Sequence, residues 1–503
     1  MNRRPIILAL VLSLFVVNMG FSASKDAARY MAEPERATTP IKAQAIQNIS
    51  SYLDFSLAAS SVLADNLVNA DTGRIYHEGD FEWNYFTNGS TLTDYYWAIS
   101  ALERAYNVTG NATYFSMIGK MATMMVTLFM DPVYPGFYID TWSPEILTQT
   151  KRAGIQAYAY KALVIAESVD SELDFTVEKQ SAITCLSDML YDSENGGFHF
   201  FTMRNGSLNI PEYIYEVYPP DGKRLDHLAL GISALYDAGE ATGNSTLTSM
   251  ANKSLDFLIK YMPYTNATDH FLGFRLATNR TGGVPVIDAG QRPAETVVTD
   301  LNAIAIRALL RGYEITENET YLQTAREAIF VLLNYNWDQE KGAFFAETLE
   351  GLPYDPLDDE DVKFYKYSEI QFQMVLALEG LYEFTLDTFY IQLTIDTLDI
   401  VIAKLWDSEF GGFWKNGDRE SLVYSQSWKT HLAAVQGLAV LALERVWSFG
   451  LPIISNVRVS PTNPRPTDDI TFLVTATDAD GIDMVYANMS IEFTNGQKNR
   501  SIV

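Results

Sequence analysis

Acidic, basic and histidine residues recur at a few positions, each between a long aromatic loop and an apolar segment. In the clearest copy, residues 223–244, Arg224, Asp226 and His227 come just before an apolar run. Cleavage of a glycosidic bond needs one carboxylic acid to protonate the leaving oxygen and a second carboxylate to activate water or attack the sugar. A carboxylate at a helix start has its charged form favoured, which suits a base. The acid and base candidates are Asp226 and Glu295, with Asp94 and Glu369 as substitutes.

Two of these carboxylates also have a structural interpretation, as residues that cap a helix. Asp94 lies three residues after Thr91, which is the spacing of a capping box, and Glu295 follows Pro293 in a predicted first turn. Asp226 has less reason to cap a helix, because Asp221 is available for that role. Further polar residues of the predicted first turns are Lys151, Asp300, Gln371 and Lys429.

Two of the five histidines, His227 and His431, fall at predicted starts of apolar helices. A helix N-terminus lowers the pKa of a histidine, which keeps the ring neutral and able to accept a proton. A structural histidine held by hydrogen bonds is the alternative for each of them. No HExxH-like spacing, P-loop or GxGxxG motif is present, so we expect neither a metal nor another cofactor.

The long loops are rich in aromatic residues. The flat faces of sugar rings pack on such side chains, whereas sugar hydroxyl groups need polar partners; small loop cores are the alternative use for these rings. The predicted stacking residues are Trp83, Tyr85, Trp142 and Trp428. The predicted partners of hydroxyl or carboxylate groups are Arg152, Arg224 and Arg292.

Apolar periodicity predicts the helices that position these residues. Twelve are expected, at 42–67, 91–107, 111–130, 150–169, 171–190, 223–241, 244–262, 293–315, 318–335, 366–385, 387–405 and 426–448. Even-numbered helices are the more apolar ones, and short turns such as Thr242-Gly243-Asn244 follow them. Odd-numbered helices are followed by long loops, and three of these loops open alike, at Asp192, Asp338 and Asp407. Six helical hairpins, with the apolar helices inside, predict an all-α (α/α)6 barrel.

The barrel is predicted to span residues 42–450. Residues 451–503 alternate with period two and predict the start of an immunoglobulin-like β-sandwich that is too short to be complete. Residues 1–24 have the pattern of a signal peptide, with an uncleaved anchor as the alternative, and a polar leader follows at 25–41. No other hydrophobic run is long enough to span a bilayer.

Charge and composition limit the partners. The formal net charge of −27 argues against nucleic acid, which binds to basic surfaces. Twelve Asn-x-Ser/Thr sequons, together with the signal peptide, predict an exported glycoprotein in the extracellular space or at the cell surface. The single cysteine, Cys185, excludes an internal disulfide and is expected to be an inert core residue.

The alternating helices, the Asp-x-x-x-Gly-Gly-Phe loop starts and the Thr-Gly-Asn turns make residues 42–450 resemble the six-hairpin glycosidase superfamily, near its N-acylglucosamine epimerase and hydrolase-like branch. The resemblance implies carbohydrate chemistry at the open end of the barrel. Epimerases of this type use a histidine pair, one from the last inner helix, and His431 resembles that position. The fourth inner helix has no histidine where the second base is expected.

We therefore expect a secreted glycoside hydrolase that acts on an oligosaccharide or polysaccharide through paired carboxylates at the barrel mouth. A sugar epimerase or isomerase that uses His431 is one alternative. A non-catalytic glycan-binding surface protein is the other.

Overall fold

A computed structural model describes residues 41–80, 82–84, 86–87, 89–141, 150–208, 221–268, 270–285, 292–355, 364–418, 430–448, 453–460 and 471–477. The predicted signal peptide and nearly all of the polar leader lie outside these residues. The chain divides into one compact unit of Ser51–Val446 and a second that comprises Met1–Ser50 and Trp447–Val503. No helix within the described residues is long and apolar enough to cross a membrane.

The described residues form twelve α-helices, as the periodicity predicts. They are α1 (Ile41–Val62), α2 (Leu92–Thr109), α3 (Ala112–Phe129), α4 (Ala153–Val169), α5 (Thr176–Thr184), α6 (Leu225–Thr242), α7 (Ser245–Tyr261), α8 (Thr299–Thr316), α9 (Glu319–Tyr335), α10 (Ser368–Thr385), α11 (Thr388–Leu405) and α12 (Ala433–Ser448). One π-helical turn extends α1 (Leu63–Leu67) and another extends α5 (Cys185–Leu190). Cys185 is buried there, and burial raises the pKa of its thiol to about 12.

The even-numbered helices form the inner ring of an (α/α)6 barrel. α2, α4, α6, α8 and α10 pack side by side in chain order. α12 completes the ring, because Gly437 lies against the backbone of Trp97 in α2, where a Cβ would come within 2.7 Å of the Trp97 carbonyl. Apolar residues on nearly every side of these helices are therefore buried.

Short turns join each inner helix to the outer helix that follows. Gly110 and Gly243 end α2 and α6 in the left-handed conformation, each at φ 65°. The corresponding residues after α8 and α10 are not glycine but Glu317 (φ 55°) and Leu386 (φ 53°). The next residue caps the outer helix each time; Asn244, for example, accepts a hydrogen bond from the backbone N–H of Thr246 at 3.0 Å.

A short strand precedes most inner helices, where the sequence predicts the helix itself. The strands are β1 (Glu78–Asp80), β2 (Thr150–Lys151), β3 (Thr202–Met203), β4 (Lys223–Arg224), β5 (Pro263–Thr265), β6 (Phe271–Phe274), β7 (Ala277–Thr278), β8 (Val297–Val298), β9 (Glu347–Leu349), β10 (Leu352–Pro353), β11 (Lys366–Tyr367), β12 (Asn416–Gly417) and β13 (Thr430–Leu432). The predicted starts of α4, α6, α8, α10 and α12 are therefore wrong by two to seven residues. The fixed φ of Pro293 suits a helix start, but α8 begins at Thr299.

These strands join neighbouring hairpins around the ring. β2 pairs with β3, β4 with β7, β8 with β9, and β11 with β12, always antiparallel. β13 pairs with β1 and so links the last hairpin to the first. We call each strand before an inner helix, with the first turn of that helix, a junction; the first junction has only a bridge between Thr91 and Asp140.

An amide side chain one turn into several inner helices fixes the loop before it. Gln371 Oε1 accepts from the backbone N–H of Phe344, and Gln371 Nε2 donates to the Phe344 carbonyl, both at 2.8 Å. Gln436 binds Phe413 in the same way. These bonds satisfy buried backbone groups and hold the loops against the helix starts.

In the second unit, β14 (Ile453–Ser460) and β15 (Thr471–Thr477) pair antiparallel, with a register shift between Ser455 and Arg458. The immunoglobulin-like sandwich stays a prediction, since the rest of residues 451–503 lies outside the described residues.

Candidate active site

Three consecutive inner helices carry an acid at their second residue: Asp226 in α6, Asp300 in α8 and Glu369 in α10. All three are half-buried. The charge of Asp226 raises the pKa of Asp300, and that of Asp300 raises the pKa of Glu369. The carboxylates therefore lie close together around the barrel mouth, at helix N-termini that all point there.

We call Asp226, Asp300 and Glu369 the acidic cluster. Their different surroundings give the three carboxyl groups different pKa values. Burial, with the charge of Asp226 added, raises the pKa of Asp300 to about 6. Burial and the charges of Asp300 and Asp94 raise the pKa of Glu369 to about 7. Burial also acts to raise the pKa of Asp226, but the positive charge of Arg224 and a hydrogen bond from the backbone N–H of His227 leave it below its usual value. At a pH near 5, Asp226 is thus an anion while Asp300 and Glu369 carry protons.

Glu347, in β9, is a fourth carboxylate at the mouth, and sequence reasoning did not select it. Burial raises its pKa to about 7, with Arg292 opposing and Asp300 adding to the shift. Arg292 donates a hydrogen bond to Glu347. Glu347 lies opposite Val298, two residues before Asp300, because β9 pairs with β8. No local sequence signal could have found it, since the pairing joins segments that are about fifty residues apart.

Asp94 forms the predicted capping box. The Thr91 hydroxyl accepts from the Asp94 N–H at 3.2 Å, and Asp94 Oδ2 accepts from the Thr91 N–H at 2.7 Å. The same carboxylate lies 3.0 Å from His77 Nδ1. Burial lowers the pKa of His77, but the bond to Asp94 outweighs it and raises the pKa overall. Asp94 therefore positions His77, and the charge of His77 acts to lower the pKa of Glu369. Sequence reasoning also missed His77.

Asp226 and His227 face different surroundings. The backbone N–H of Gly154, at the start of α4, donates to His227 Nδ1 at 3.0 Å. Burial lowers the pKa of His227 to about 4. A neutral His227 therefore caps a neighbouring helix, while Asp226 belongs to the acidic cluster.

His431 is fully buried at the sixth junction. Its ring stacks between Trp83, at 4.3 Å between centroids, and Trp414, at 4.4 Å. Burial lowers its pKa to about 4. Trp83 adopts φ 61° and donates from Nε1 to the Phe410 carbonyl at 3.2 Å, which keeps it over the histidine.

The position of His431 corresponds to a buried lysine in three other junctions. Lys151, Lys223 and Lys366 each lie three residues before the second residue of their inner helix and are fully buried. Each forms an ion pair with the first aspartate of the preceding loop: Lys151 with Asp131 (3.0 Å), Lys223 with Asp192 (2.8 Å) and Lys366 with Asp338 (3.2 Å). At the sixth junction, His431 Nε2 lies 3.7 Å from Asp407.

Glu295 does not lie in a helix, so its predicted first-turn position is wrong. It precedes α8 in a turn, and its charge acts on Tyr264 and Arg275. The acid of this junction is Asp300 instead. The error follows from the predicted start of the helix at residue 293.

Two of the predicted binding arginines share one aromatic ring. The guanidinium groups of Arg152 and Arg224 lie 5.4 Å and 5.7 Å from the centre of the Phe200 ring. Arg224 Nε is also 3.0 Å from Asp226 Oδ1. Tyr85, Trp142 and Trp428 lie outside the described residues. Within the described part of the chain, no three His, Cys, Asp or Glu side chains are grouped to hold a metal ion.

Similarity to known proteins lies in the fold. No family model matches the chain, and no curated protein sequence does. The structure superposes on that of a D-mannose isomerase with a TM-score of 0.64 at 15% identity, over 83% of this chain and 100% of that one. Cellobiose 2-epimerase from Spirochaeta thermophila gives 0.63 at 13% identity, over 82% and 99%.

A glycoside hydrolase family 76 α-mannanase from Bacteroides thetaiotaomicron gives a TM-score of 0.58 at 10% identity, over 80% of this chain and 96% of that one. This chain has the six-hairpin glycosidase fold. The predicted barrel is thereby confirmed. Since six-hairpin folds carry out different reactions, the fold alone does not determine the activity, which depends on the residues at the mouth.

Proposed function

We propose that the protein is a glycoside hydrolase in which Asp300 is the general acid and Asp226 the base. The observation that carries this proposal is the pair itself. Two neighbouring carboxylates have pKa values shifted in opposite directions, with that of Asp300 raised to about 6 and that of Asp226 lowered. Glycosidic cleavage needs one protonated and one ionised carboxyl group at the same time.

Each carboxyl group has a definite step. Asp300 would give its proton to the glycosidic oxygen as the bond to the anomeric carbon breaks, so the departing sugar leaves as an alcohol. Asp226 would act on the anomeric carbon, either through a water molecule from which it takes a proton or directly. Glu369 and Glu347 supply further oxygens for sugar hydroxyls, and Arg292 holds Glu347 in place.

The surroundings support a carbohydrate substrate. The isomerase, the epimerase and the mannanase above are named for sugars, and they share the fold of this chain. The mouth combines carboxylate acceptors with Arg152 and Arg224, whose guanidinium groups both lie within 6 Å of the centre of the Phe200 ring. The signal-peptide pattern and the sequons support an exported enzyme that meets its glycan outside the cell.

The test starts with a glycan array, followed by a reducing-sugar assay on every glycan that binds. Asp226→Asn and Asp300→Asn should each lower kcat/KM by about a thousandfold, within the range for removal of a general acid or base. Only Asp300→Asn should recover on aryl glycosides, whose leaving groups need no proton. Asp256→Asn, on an exposed face of α7, is the matched control. Wild-type rates in both variants at normal melting temperature would contradict the assignment.

A sugar epimerase or isomerase is the second candidate, because the two structures with TM-scores of 0.63 and 0.64 have those activities in their names. It predicts a product with the mass of the substrate, and loss of turnover in His431→Gln. Mass spectrometry of the product separates the two reactions. If the protein binds glycans saturably but forms no product, it is a non-catalytic glycan-binding protein.

A further inference from the structure

A cavity lies on the barrel axis, towards the end opposite the acidic cluster. Its volume is about 220 Å³. Every inner helix contributes to its wall, from α2 to α12 in turn: Tyr96, Tyr158, Ser233, Arg307, Phe384 and Arg445. Arg445 and Phe384 stand in the last turns of α12 and α10, whereas the acids stand in first turns. We call this space the rear cavity.

An aromatic pair separates the rear cavity from the mouth. Tyr96 and Tyr158 stack with centroids 4.7 Å apart and planes 28° apart. Burial raises the pKa of Tyr158 well above its usual value, and charges on Glu369 and Arg307 both act on it. Tyr158 is the sixth residue of α4 and lines the rear cavity, whereas each acid is the second residue of its helix, so the ring lies about one turn further from the mouth than the acids do.

The wall of the rear cavity is rich in positive charge. Its basic side chains are Lys161, Arg307, Arg311 and Arg445, against two carboxylates, Glu314 and Glu383. In a chain with a formal net charge of −27, this is an unusual local balance. It points to a negatively charged ligand.

Three of these cations already have acidic partners. Lys161 and Arg311 both reach Asp237 at 2.9 Å, and Arg445 pairs with Glu383. Arg307 differs, because within the described residues it forms no ion pair and donates only to the amide oxygen of Gln373, at 3.2 Å. A guanidinium has five N–H donors, so most of those on Arg307 are left for the cavity.

A buried acid nearby does not neutralise Arg307. Glu379 is fully buried, and neither of its oxygens has a hydrogen-bond partner among the described residues. Burial raises the pKa of Glu379 well above its usual range, even though Arg445 acts against the shift. Among the described residues, the ion-pair contact of Glu379 is with Arg445 Nε, at 3.9 Å, and not with Arg307. Within the described residues, Arg307 therefore has no ion-pair partner, which is an unfavourable state for a charge inside the barrel and one that a bound anion would relieve.

We propose that the rear cavity binds a small organic acid whose carboxylate pairs with Arg307 and whose ring packs on Tyr96, Tyr158 and Phe384. A guanidinium binds a carboxylate through two parallel hydrogen bonds. The cavity is smaller than sites for drug-sized ligands, which limits the occupant to about one ring. This site is distinct from the mouth and does not depend on the activity proposed there.

The test is calorimetric titration of the full chain with three probes: glucuronate, benzoate and sodium sulfate. Saturable binding of glucuronate or benzoate would distinguish a sugar acid from an aromatic acid as the ligand class. Binding of sulfate alone would overturn the proposal, because a site for any anion needs no ring contacts. Failure of all three to bind would overturn it too.

Variants locate the binding. Arg307→Met keeps the bulk of the side chain and should weaken binding at least about thirtyfold, as expected for loss of a buried charged partner. Ser233→Leu fills the cavity without touching a charge and should have a similar effect, so the test survives if one variant does not fold. Arg104→Met, on an exposed side chain, is the control for lost charge. Arg152→Met reports on the mouth, and weakened binding in Arg152→Met with normal binding in Arg307→Met would overturn the location.

Discussion

At the third junction Lys223 and Asp226 stand three residues apart, and at the sixth the same two positions hold His431 and Ala434. The backbone frame is shared, since a strand pairs with the neighbouring hairpin and an inner helix follows in both places. The charges differ. The third junction contributes a buried ion pair and a carboxylate at the mouth, whereas the sixth contributes a neutral ring between two indoles.

The comparison shows that two positions of each junction have different roles: one holds the preceding loop, and the other can place a carboxyl group at the mouth. The position of Lys223 and His431 faces the preceding loop and holds it, by charge in one copy and by packing in the other. The position of Asp226 faces the mouth. The lysine copies at the third and fifth junctions both have an acid there, Asp226 and Glu369, and the histidine copy does not. The barrel therefore concentrates its acids on one side of the ring.

The largest effect is expected when Lys223 is substituted, because this change removes the buried ion pair of the third junction and should lower stability. Hydrogen bonds from Arg280 and Lys223 overcome burial and hold the pKa of Asp192 far below its usual range, so this carboxylate is charged inside the fold. Lys223→Met should lower the free energy of unfolding by about 3 kcal/mol, because it leaves a buried charge with one partner fewer. Urea unfolding measures the change.

Lys404→Met, on an exposed side chain of α11, is the control and should change stability by less than about 0.5 kcal/mol. An equal loss in both variants would mean that the buried ion pair contributes no more to the free energy of unfolding than an exposed lysine does. Retention of full stability in Lys223→Met would show that Arg280 alone satisfies Asp192.

The next effect is on pH dependence, at Arg224. In the wild type, kcat/KM should fall as pH rises through about 6, when Asp300 loses its proton, and should fall in acid when Asp226 gains one. Arg224 lowers the pKa of both carboxyl groups. Arg224→Gln removes that positive charge, so both limbs of the profile should move to higher pH, by about one unit.

The pH profile of Arg104→Gln should match that of the wild type, since this arginine stands on an exposed face. A downward shift in Arg224→Gln would contradict the assigned acid and base. So would a profile that does not move at all.

The smallest effect is expected at His431. His431→Gln should lower the free energy of unfolding by about 1 kcal/mol, through lost stacking on Trp83 and Trp414. Turnover should stay within about threefold of wild type, because the ring is buried and takes no part in the hydrolysis proposed here. A loss of a hundredfold or more, with product mass equal to substrate mass, would favour the epimerase instead.

Much of the fold follows from sequence patterns, since helices and hairpins are local features. The twelve helices, their alternation and the Asp-x-x-x-Gly-Gly-Phe loops lead to the observed barrel. The junction strands cannot be predicted from such patterns, because a strand of two residues, such as Lys223–Arg224, is too short to show periodicity. The turns after α8 and α10 also carry a weak signal, since Glu317 and Leu386 stand where glycine is usual.

The site is less accessible to sequence reasoning, because its members meet through tertiary pairing. Asp226 and Glu369 could be selected at helix starts, and the structure places both in the acidic cluster. Pro293 predicts an earlier helix start and so favours Glu295, whereas the helix begins at Thr299 and brings Asp300 to the mouth. Glu347 and His77 come from loops, and only the strand pairing and the bond to Asp94 bring them to the mouth.

The pairing of β13 with β1 has a consequence for how the chain reaches this state. Leu432 pairs with Glu78, and the Ser56 hydroxyl reaches the carbonyl of Val440, 384 residues further along the chain. Every other junction forms between neighbouring hairpins, whereas this one needs both ends of the barrel. During synthesis from the N-terminus, α1 and α2 must therefore wait for the last hairpin. Until that hairpin has been synthesised, the ring of helices stays open and β1 lacks its partner strand. A chaperone that binds this exposed edge would protect the chain from aggregation.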